Sequence, residues 1–229
     1  MGRVHEGMAK HGMLYFTKEQ TAGKGQRGKT WKMEKEKSIA MSLVLEPERL
    51  PSGSGGQIKD QFYLSAVIAL TCLEFFSTYA GDETKIKWPN DLFWRDRKAG
   101  GILIENKFQG NTWKWAVVGI GININQTLFD EFLINPVSLK QITGKTFDVV
   151  GLAKELYELL MKRLAEHRRM EDIMQQYNDQ LYMLNKQVTL KKGSVKFDTV
   201  IKGVSAQGRL ITVDGVEHEF DFGQVEWML

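Results

Sequence analysis

Runs of apolar residues divide the chain into short strands and two long helices. Residues 13–17, 38–45, 85–88, 101–105 and 113–122 are short runs rich in aliphatic and aromatic side chains, which are typical of β-strands. Apolar residues recur at spacings of three and four in two further segments, and this spacing predicts one buried face on each of two helices. The first face comprises Phe62, Ala66, Ala69, Leu70, Leu73 and Phe76, and the second comprises Val149, Leu152, Ala153, Leu156, Leu159, Leu160 and Leu164.

The pattern changes towards the C-terminus. Residues 172–184 are predicted to be helical, but from residue 187 onward there are short alternating runs separated by the turn sequences KKG, AQG and VDG. These runs predict a small all-β barrel with a boundary near Asn185. We therefore expect an α+β sheet domain over residues 1–184 and a barrel over residues 185–229.

Composition and charge limit the classes of protein to which the chain can belong. The chain has 42% hydrophobic and 26% charged residues, as in ordinary globular proteins, and its net charge of +3 does not indicate a nucleic-acid-binding protein. Its one cysteine, Cys72, lies in an apolar run, so we expect a buried thiol and a reducing compartment, the cytoplasm. Residues 1–12 do not resemble a signal peptide, and no apolar stretch is expected to reach the roughly 20 residues of a membrane span.

A polar segment over residues 20–37 contains the basic, glycine-rich sequence GKGQRG at residues 23–28. A loop of this length inside a compact domain is usually functional. Glycines let backbone N–H groups approach an anion, and the neighbouring cations could bind a phosphate or a carboxylate. A solvated flexible loop explains the same residues equally well. The segment matches neither the phosphate-binding loop GxxxxGK[ST] nor GxGxxG between a strand and a helix.

A second motif, KWPND at residues 87–91, is followed by RKAGG at residues 97–101. Pro89 ends the strand, and a turn is the favoured interpretation of Asn90 and Asp91. Lys98 precedes two glycines and an apolar strand, so it either extends to solvent or faces a bound anion. The histidines show no paired metal-ligand spacing, which argues against a zinc enzyme; they are His5, His11, His167 and His218.

Four ordered motifs resemble those of biotin–protein ligases. They are EQTAGKGQRGKTW at 19–31, KWPNDL at 87–92, RKAGGILIE at 97–105 and GIGININ at 119–125, and DFGQVEW at 221–227 resembles the end of the family's SH3-like barrel. The resemblance implies the fold shared by class II aminoacyl-tRNA synthetases and biotin ligases, a mixed sheet with helices. It also implies that biotin and ATP form biotinyl-5′-AMP, and that biotin then passes to a lysine of a biotin carboxyl carrier protein.

The resemblance also implies roles for individual residues. Lys98 and Arg27 would be catalytic, and Asp91 would hold Mg²⁺. The residues implied to contact biotin are Gln20, Gly23, Lys24, Gly25, Gln26, Lys98 and Gly101. The residues implied to lie at the nucleotide are Arg27, Gly28, Lys29, Trp31, Asn90 and Asn123. Leu103 and Ile122 could enclose the ring and chain of biotin.

Two departures from the family pattern change these expectations. The commonest family loop has arginine where this chain has Gln26, so we expect Arg27 to supply the phosphate charge. The family's first strand ends in Ser-Thr-Asn, which contacts the ureido group of biotin and does not occur in this sequence. For the chain as given we therefore expect weak biotin binding. We expect neither a DNA-binding domain nor a membrane partner. The sequence leaves open whether the chain forms a homodimer through a sheet edge.

Two other functions remain as alternatives. A lipoate–protein ligase shares the implied fold, but its Arg-Arg-x-Ser-Gly-Gly-Gly signature is absent from this sequence. A non-catalytic module that binds a nucleotide or a partner would explain the missing Ser-Thr-Asn, whereas retention of Lys98 and KWPND argues against it. Biotin-dependent exchange of pyrophosphate into ATP distinguishes a ligase from a binding module.

Overall fold

A six-stranded sheet with strand order β1-β4-β8-β7-β6-β5 forms the centre of the protein. The fold is that of a computed structural model, which describes residues 1–25, 28, 30–51, 61–130, 133 and 135–228. The strands of this sheet are β1 (Met13–Phe16), β4 (Ser38–Leu45), β5 (Thr84–Lys87), β6 (Asp91–Trp94), β7 (Arg97–Gln109) and β8 (Thr112–Asn123). All of these neighbours pair antiparallel, and parallel pairing among the described residues is limited to two isolated bridges.

The described residues form a short 3-10 helix at Pro47–Arg49 and five α-helices: α1 (Gly2–His5), α2 (Gln61–Ala80), α3 (Leu139–Thr143), α4 (Val149–Ala165) and α5 (Met170–Asp179). The N-terminus of α3 is closed by a capping box between Ser138 and Gln141, and Asp148 accepts a hydrogen bond from Val150 at the start of α4. Such caps satisfy N–H groups that have no partner within the helix. Helices α2 and α4 cover one face of the sheet and complete the main core.

The strands alternate between two faces, because successive side chains of a strand point in opposite directions. On β4 the side chains of Ile39, Met41, Leu43 and Leu45 are buried in the main core. The other face carries a small separate cluster, in which Val4 of α1 packs with Val44 and Val117. The remainder of that second face is available for a site.

The C-terminal part is a five-stranded antiparallel sheet with order β12-β11-β10-β9-β13. Its strands are β9 (Gln187–Lys192), β10 (Val195–Val204), β11 (Leu210–Val213), β12 (Glu217–Phe220) and β13 (Glu226–Trp227). Alternate side chains of these strands, such as Leu190, Ile201 and Leu210, join the main core. The predicted α+β class with a small C-terminal β unit is confirmed, whereas the domain division after residue 184 stays a prediction.

The observed elements differ from the predicted ones where polar residues form structure. The predicted strand over residues 38–45 is confirmed, but residues 20–37 are not one long loop. They contain the hairpin of β2 (Gln20–Lys24) and β3 (Thr30–Met33). Helix α5 ends at Asp179 rather than continuing to residue 184. Strand β6 was absent from the prediction because KWPND was interpreted as a turn alone.

The expectation that no apolar stretch approaches a membrane span was wrong. Within the described residues, α2 has the length and apolar composition for one, with 20 residues and a mean hydropathy of 1.4. Just over half of that stretch, 56%, is buried inside the fold, as in a core helix. Its buried side chains include Ile68 and Phe76. Phe62, Leu70 and Leu73 of the predicted stripe are only partly buried against the core.

Cys72 is buried on α2, as its sequence context indicated. The thiol is 1% exposed, and burial raises its pKa to about 12. Because the thiolate is the reactive form, we expect iodoacetamide to leave Cys72 unmodified in the native protein at mildly alkaline pH. After unfolding in guanidinium chloride, intact-mass measurement should show one alkylated thiol. Alkylation at the same rate before and after unfolding would contradict the burial of this side chain.

Candidate active site

Small residues form a flat floor on the second face of the sheet. Four residues lie in register across neighbouring strands: Ala40 pairs with Gly121, Gly121 with Gly101, and Gly101 with Asp91. We call this row the floor. Because three of its members have no side chain beyond Cβ, the floor leaves room for a flat group against the backbone.

The glycine-rich hairpin β2–β3 folds over this floor. The indole of Trp31, on β3, lies on Gly121 so closely that a Cβ at Gly121 would be 2.6 Å from its Cε2 atom. Gly23, on β2, is packed against Trp31, where an added Cβ would be 2.2 Å from the Trp31 carbonyl oxygen and 2.9 Å from Cδ of Gln20. Close packing within the hairpin and against the floor therefore requires glycine at both positions.

The indole N–H of Trp31 is buried and has no hydrogen-bond partner among the described residues. Leaving such a group unsatisfied costs about 1–3 kcal/mol. A ligand that brought an acceptor to the floor could satisfy this donor.

An ion pair stands at the end of the floor. The Nζ atom of Lys98 is 2.6 Å from Oδ1 of Asp91, and the two side chains are 34% and 22% exposed. A Cβ at Gly101 would lie 3.6 Å from Lys98 Nζ and 3.3 Å from Asp91 Oδ1, so both charged groups adjoin the floor. The lysine therefore faces this cleft and does not simply extend to solvent.

The backbone of Lys98 is fixed on both sides. Its N–H donates to the Asn135 carbonyl at 2.7 Å, and its carbonyl accepts from Val137 N–H at 2.9 Å. The amide of Asn123 donates to the Val137 carbonyl at 3.1 Å and to the Lys98 carbonyl at 3.5 Å. Asn123 is 6% exposed, so its side chain holds the backbone around Lys98 in this structure.

Asn90 is held against the neighbouring strand. Its amide donates to the Ile102 carbonyl, and its own carbonyl accepts from Ile102 N–H at 3.0 Å. This reciprocal contact fixes the turn before β6 beside Gly101. Asp91 follows immediately, which brings its carboxylate to Lys98.

The structure gathers many of the sequence-predicted residues at one place. Those within the hairpin, on the floor or beside it are Gln20, Gly23, Trp31, Asn90, Asp91, Lys98, Gly101 and Asn123. Lys24 is exposed and Gly25 half-buried in the same hairpin segment, and Gly28 is exposed with φ of +77°. Gln26, Arg27 and Lys29 lie outside the described residues. The functional roles of all these residues stay predictions.

One residue that was expected to line the biotin site does not lie there. Ile122 was expected to enclose a ligand chain, but it is 1% exposed and belongs to the main core on the helix side of the sheet. Leu103 pairs with Gly119 on β8, two residues from the floor along each strand, and so shares the face of the floor. Ala40 and Gly121 were missed as site residues, although Gly121 lies within the motif GIGININ.

Comparison with known proteins identifies the family of this chain. The model of the Biotin/lipoate A/B protein ligase family matches residues 3–123, which are just over half of the 229 residues. The chain belongs to the biotin/lipoate A/B protein ligase family. The matched part includes the glycine-rich hairpin, Lys98 and the complete floor, so the site described above lies within the family region.

Curated members of the family show where the likeness extends. The chain is 31% identical over 162 residues to the bifunctional ligase/repressor BirA of Bacillus spizizenii, covering 69% of this chain and 48% of that protein. It is 28% identical over 208 residues to the biotin–[acetyl-CoA-carboxylase] ligase of Paracoccus denitrificans, covering 86% of this chain and 82% of that one. The chain thus spans about half the length of the BirA relative and most of the shorter ligase.

Solved structures of family members share the fold. The biotin protein ligase of Aquifex aeolicus in complex with biotin and ATP superposes with a TM-score of 0.78 at 22% identity, covering 98% of this chain and 92% of that chain. This likeness includes the C-terminal sheet and agrees with the predicted biotin-ligase-like fold.

Proposed function

We propose that this chain is a biotin–protein ligase. In the first step the carboxylate oxygen of biotin attacks the α-phosphorus of ATP, which forms biotinyl-5′-AMP and releases pyrophosphate. In the second step the amine of a carrier-protein lysine attacks the acyl carbon, which forms an amide and releases AMP. The observation that carries this proposal is the Lys98–Asp91 pair at the end of a glycine floor covered by a glycine-rich hairpin.

Charge explains why a lysine is needed at this place. The first step brings a carboxylate and a phosphate together, and two like charges 4 Å apart repel by about 1 kcal/mol in water and about 4 kcal/mol at an effective dielectric constant near 20. Closing the cleft therefore increases the repulsion. We propose that Lys98 offsets it by donating to both anions, after exchanging its bond to Asp91 for the substrates.

The hairpin gives the means of excluding water. An acyl-adenylate is lost to hydrolysis unless water is kept from it. We propose that biotin lies along the floor under β2–β3, with Gln20, Gly23, Lys24, Gly25, Gln26 and Gly101 around it, while Trp31 moves from the floor to the adenylate. The buried indole N–H without a partner supports such an exchange, because a ligand could supply the missing acceptor.

Mg²⁺ fits this site only together with ATP. The described residues contain no group of three His, Cys, Asp or Glu that could hold a metal ion. Magnesium in nucleotide sites is typically held by one or two carboxylates, water and the substrate phosphates. We propose that Asp91 supplies the carboxylate, and that Asn90, Asn123, Gly28, Lys29 and Arg27 surround the nucleotide. Bound Mg²⁺ would offset part of the phosphate charge and so reduce its repulsion of the biotin carboxylate.

The acceptor and the compartment follow from the same proposal. The relative from Paracoccus denitrificans is named for acetyl-CoA carboxylase, so we propose a biotin carboxyl carrier protein as the acceptor of this chain as well. A single buried cysteine agrees with a reducing compartment, and we propose the cytoplasm. DNA and membranes have no part in the proposed reaction.

Biotin-dependent exchange of labelled pyrophosphate into ATP tests the first step. We expect exchange that needs both biotin and MgATP, because adenylate formation is reversible. Lipoate in place of biotin serves as the matched substrate and should support little exchange. No exchange with biotin would contradict the proposal, and exchange with lipoate alone would identify a lipoate ligase.

Arg27 gives a further prediction within the glycine-rich segment. We expect Arg27→Ala to lower pyrophosphate exchange by about 100-fold, since it removes a cation from the developing phosphate charge. Gln26→Ala is the matched control at the adjacent position and should have a much smaller effect. If only the Gln26 change is damaging, Arg27 does not replace the family arginine.

A further inference from the structure

The turn between β5 and β6 is bound to the C-terminal sheet through Trp88. This tryptophan is 2% exposed, and its indole N–H donates to the Gly208 carbonyl at 2.9 Å, across 120 positions of sequence. Gly208 lies in the turn between β10 and β11. The Trp88 ring also packs edge to face against Phe222, in the turn after β12, with centroids 6.3 Å apart.

Gly208 lies close against helix α2. Its φ is +85°, in the left-handed region that favours glycine, and a Cβ there would lie 2.4 Å from the ring of Phe62 on α2. The turn that carries the Gly208 carbonyl therefore packs directly against α2.

A second contact holds the same turn from helix α5. The hydroxyl of Tyr177 donates to the Pro89 carbonyl at 3.2 Å, and its ring packs edge to face on Phe62 at 5.3 Å. Tyr177 is fully buried, and burial raises the pKa of its phenol, so the hydroxyl keeps its proton and donates. The residues Trp88 and Pro89 are thus bound on two sides directly before Asn90 and Asp91.

We infer that Trp88 and Tyr177 are positioning residues for the nucleotide side of the active site. The inference rests on the proposed function, in which Asn90 and Asp91 hold the nucleotide and its Mg²⁺. The turns of the C-terminal sheet bind the ring of Trp88, α5 binds the carbonyl of Pro89, and the next residue, Asn90, is hydrogen-bonded to Ile102. The C-terminal sheet therefore affects the geometry at Asp91 without contributing a side chain to the floor.

The test uses two substitutions that each remove one donor and keep an aromatic ring, Trp88→Phe and Tyr177→Phe. Each should raise the KM for MgATP by about tenfold, which corresponds to the free energy of about one buried hydrogen bond. The KM for biotin should stay unchanged. Trp113→Phe is the matched control. Trp113 is also 2% exposed, and its indole donates to a backbone carbonyl at 3.1 Å in the β7–β8 hairpin, away from the turn.

Amide hydrogen exchange at Ile102 reports, in the absence of substrate, whether the turn is held against β7. The amide of Ile102 donates to the Asn90 carbonyl, so its exchange reports on this contact. We expect exchange at Ile102 to be about tenfold faster in Trp88→Phe and Tyr177→Phe, and unchanged in Trp113→Phe. Unchanged exchange in both variants, or equal KM effects for MgATP and biotin, would overturn the positioning role. A wild-type chain without pyrophosphate exchange would instead contradict the proposed function, and the Ile102 result would remain interpretable.

Discussion

Replacing Lys98 with methionine is expected to lower biotin-dependent pyrophosphate exchange by about 100- to 1000-fold. Methionine keeps a long flexible side chain but removes the charge that offsets the repulsion between carboxylate and phosphate, and losing one preorganised donor at such a place has an effect of this size. The substitution also leaves Asp91, whose side chain is 22% exposed, without its partner at 2.6 Å. The rate should fall more than the affinity, because the charge matters most as the two anions meet.

Lys114→Met is the matched control for this prediction. Lys114 lies on β8 of the same sheet and is paired with Glu48 at 3.2 Å, but it belongs to the opposite end of the strand from the floor. Its removal should change exchange by less than about twofold, since exposed ion pairs contribute about 0–1 kcal/mol. Equal activities of Lys98→Met and Lys114→Met would contradict the role of Lys98.

Gly121→Ala is expected to lower the rate of adenylate formation by about 100-fold. The new Cβ would occupy space on the floor that Trp31 fills in this structure, 2.6 Å from its Cε2 and 2.7 Å from its Cζ2, and that biotin is proposed to take when Trp31 moves to the adenylate. A misplacement of about 1 Å between reacting groups can cost about 100-fold in rate. A biotin raised by the added methyl group would also keep the hairpin from closing over the adenylate, so free biotin and AMP should accumulate through its hydrolysis.

Gly119 provides the control on the same strand and the same face. A Cβ at Gly119 would meet nothing closer than the Leu103 carbonyl oxygen at 3.4 Å, so Gly119→Ala should be tolerated. Single-turnover measurement of adenylate formation, with thermal unfolding of both variants, checks the pair. If Gly121→Ala is as active as Gly119→Ala, then close packing on the floor is not needed for the reaction.

Short apolar runs predicted strands of the main sheet, and apolar residues at spacings of three and four predicted the long helices. Strand β4 was predicted with its observed bounds because it is short and rich in aliphatic residues, nearly all of which are buried. The hairpin β2–β3 was missed because its residues are mostly polar or glycine, and their pairing depends on packing against Gly121. A polar segment gives no periodic signal when its structure is imposed by contacts distant in sequence.

The site was predicted as a set of motifs, but its geometry could not be derived from them. Strand register places Ala40 beside Gly121, and a slip of one residue would turn these positions to the opposite face. Register depends on the whole sheet, so no local pattern indicated the floor. The bond from Trp88 to Gly208 likewise joins two segments whose separate sequences look like ordinary turns. Lys98 could be predicted because its position before two glycines and an apolar strand is a local feature.

The most direct test of the proposed ligase activity is the intact mass of a biotin carrier domain after incubation with this chain, biotin and MgATP. We expect the carrier to gain one biotinyl group on its acceptor lysine. Omission of ATP should abolish the gain, and Lys98→Met should reduce it as strongly as it reduces pyrophosphate exchange. A carrier of unchanged mass with the wild-type chain, under conditions in which another biotin ligase modifies the same carrier completely, would contradict the proposed ligase activity.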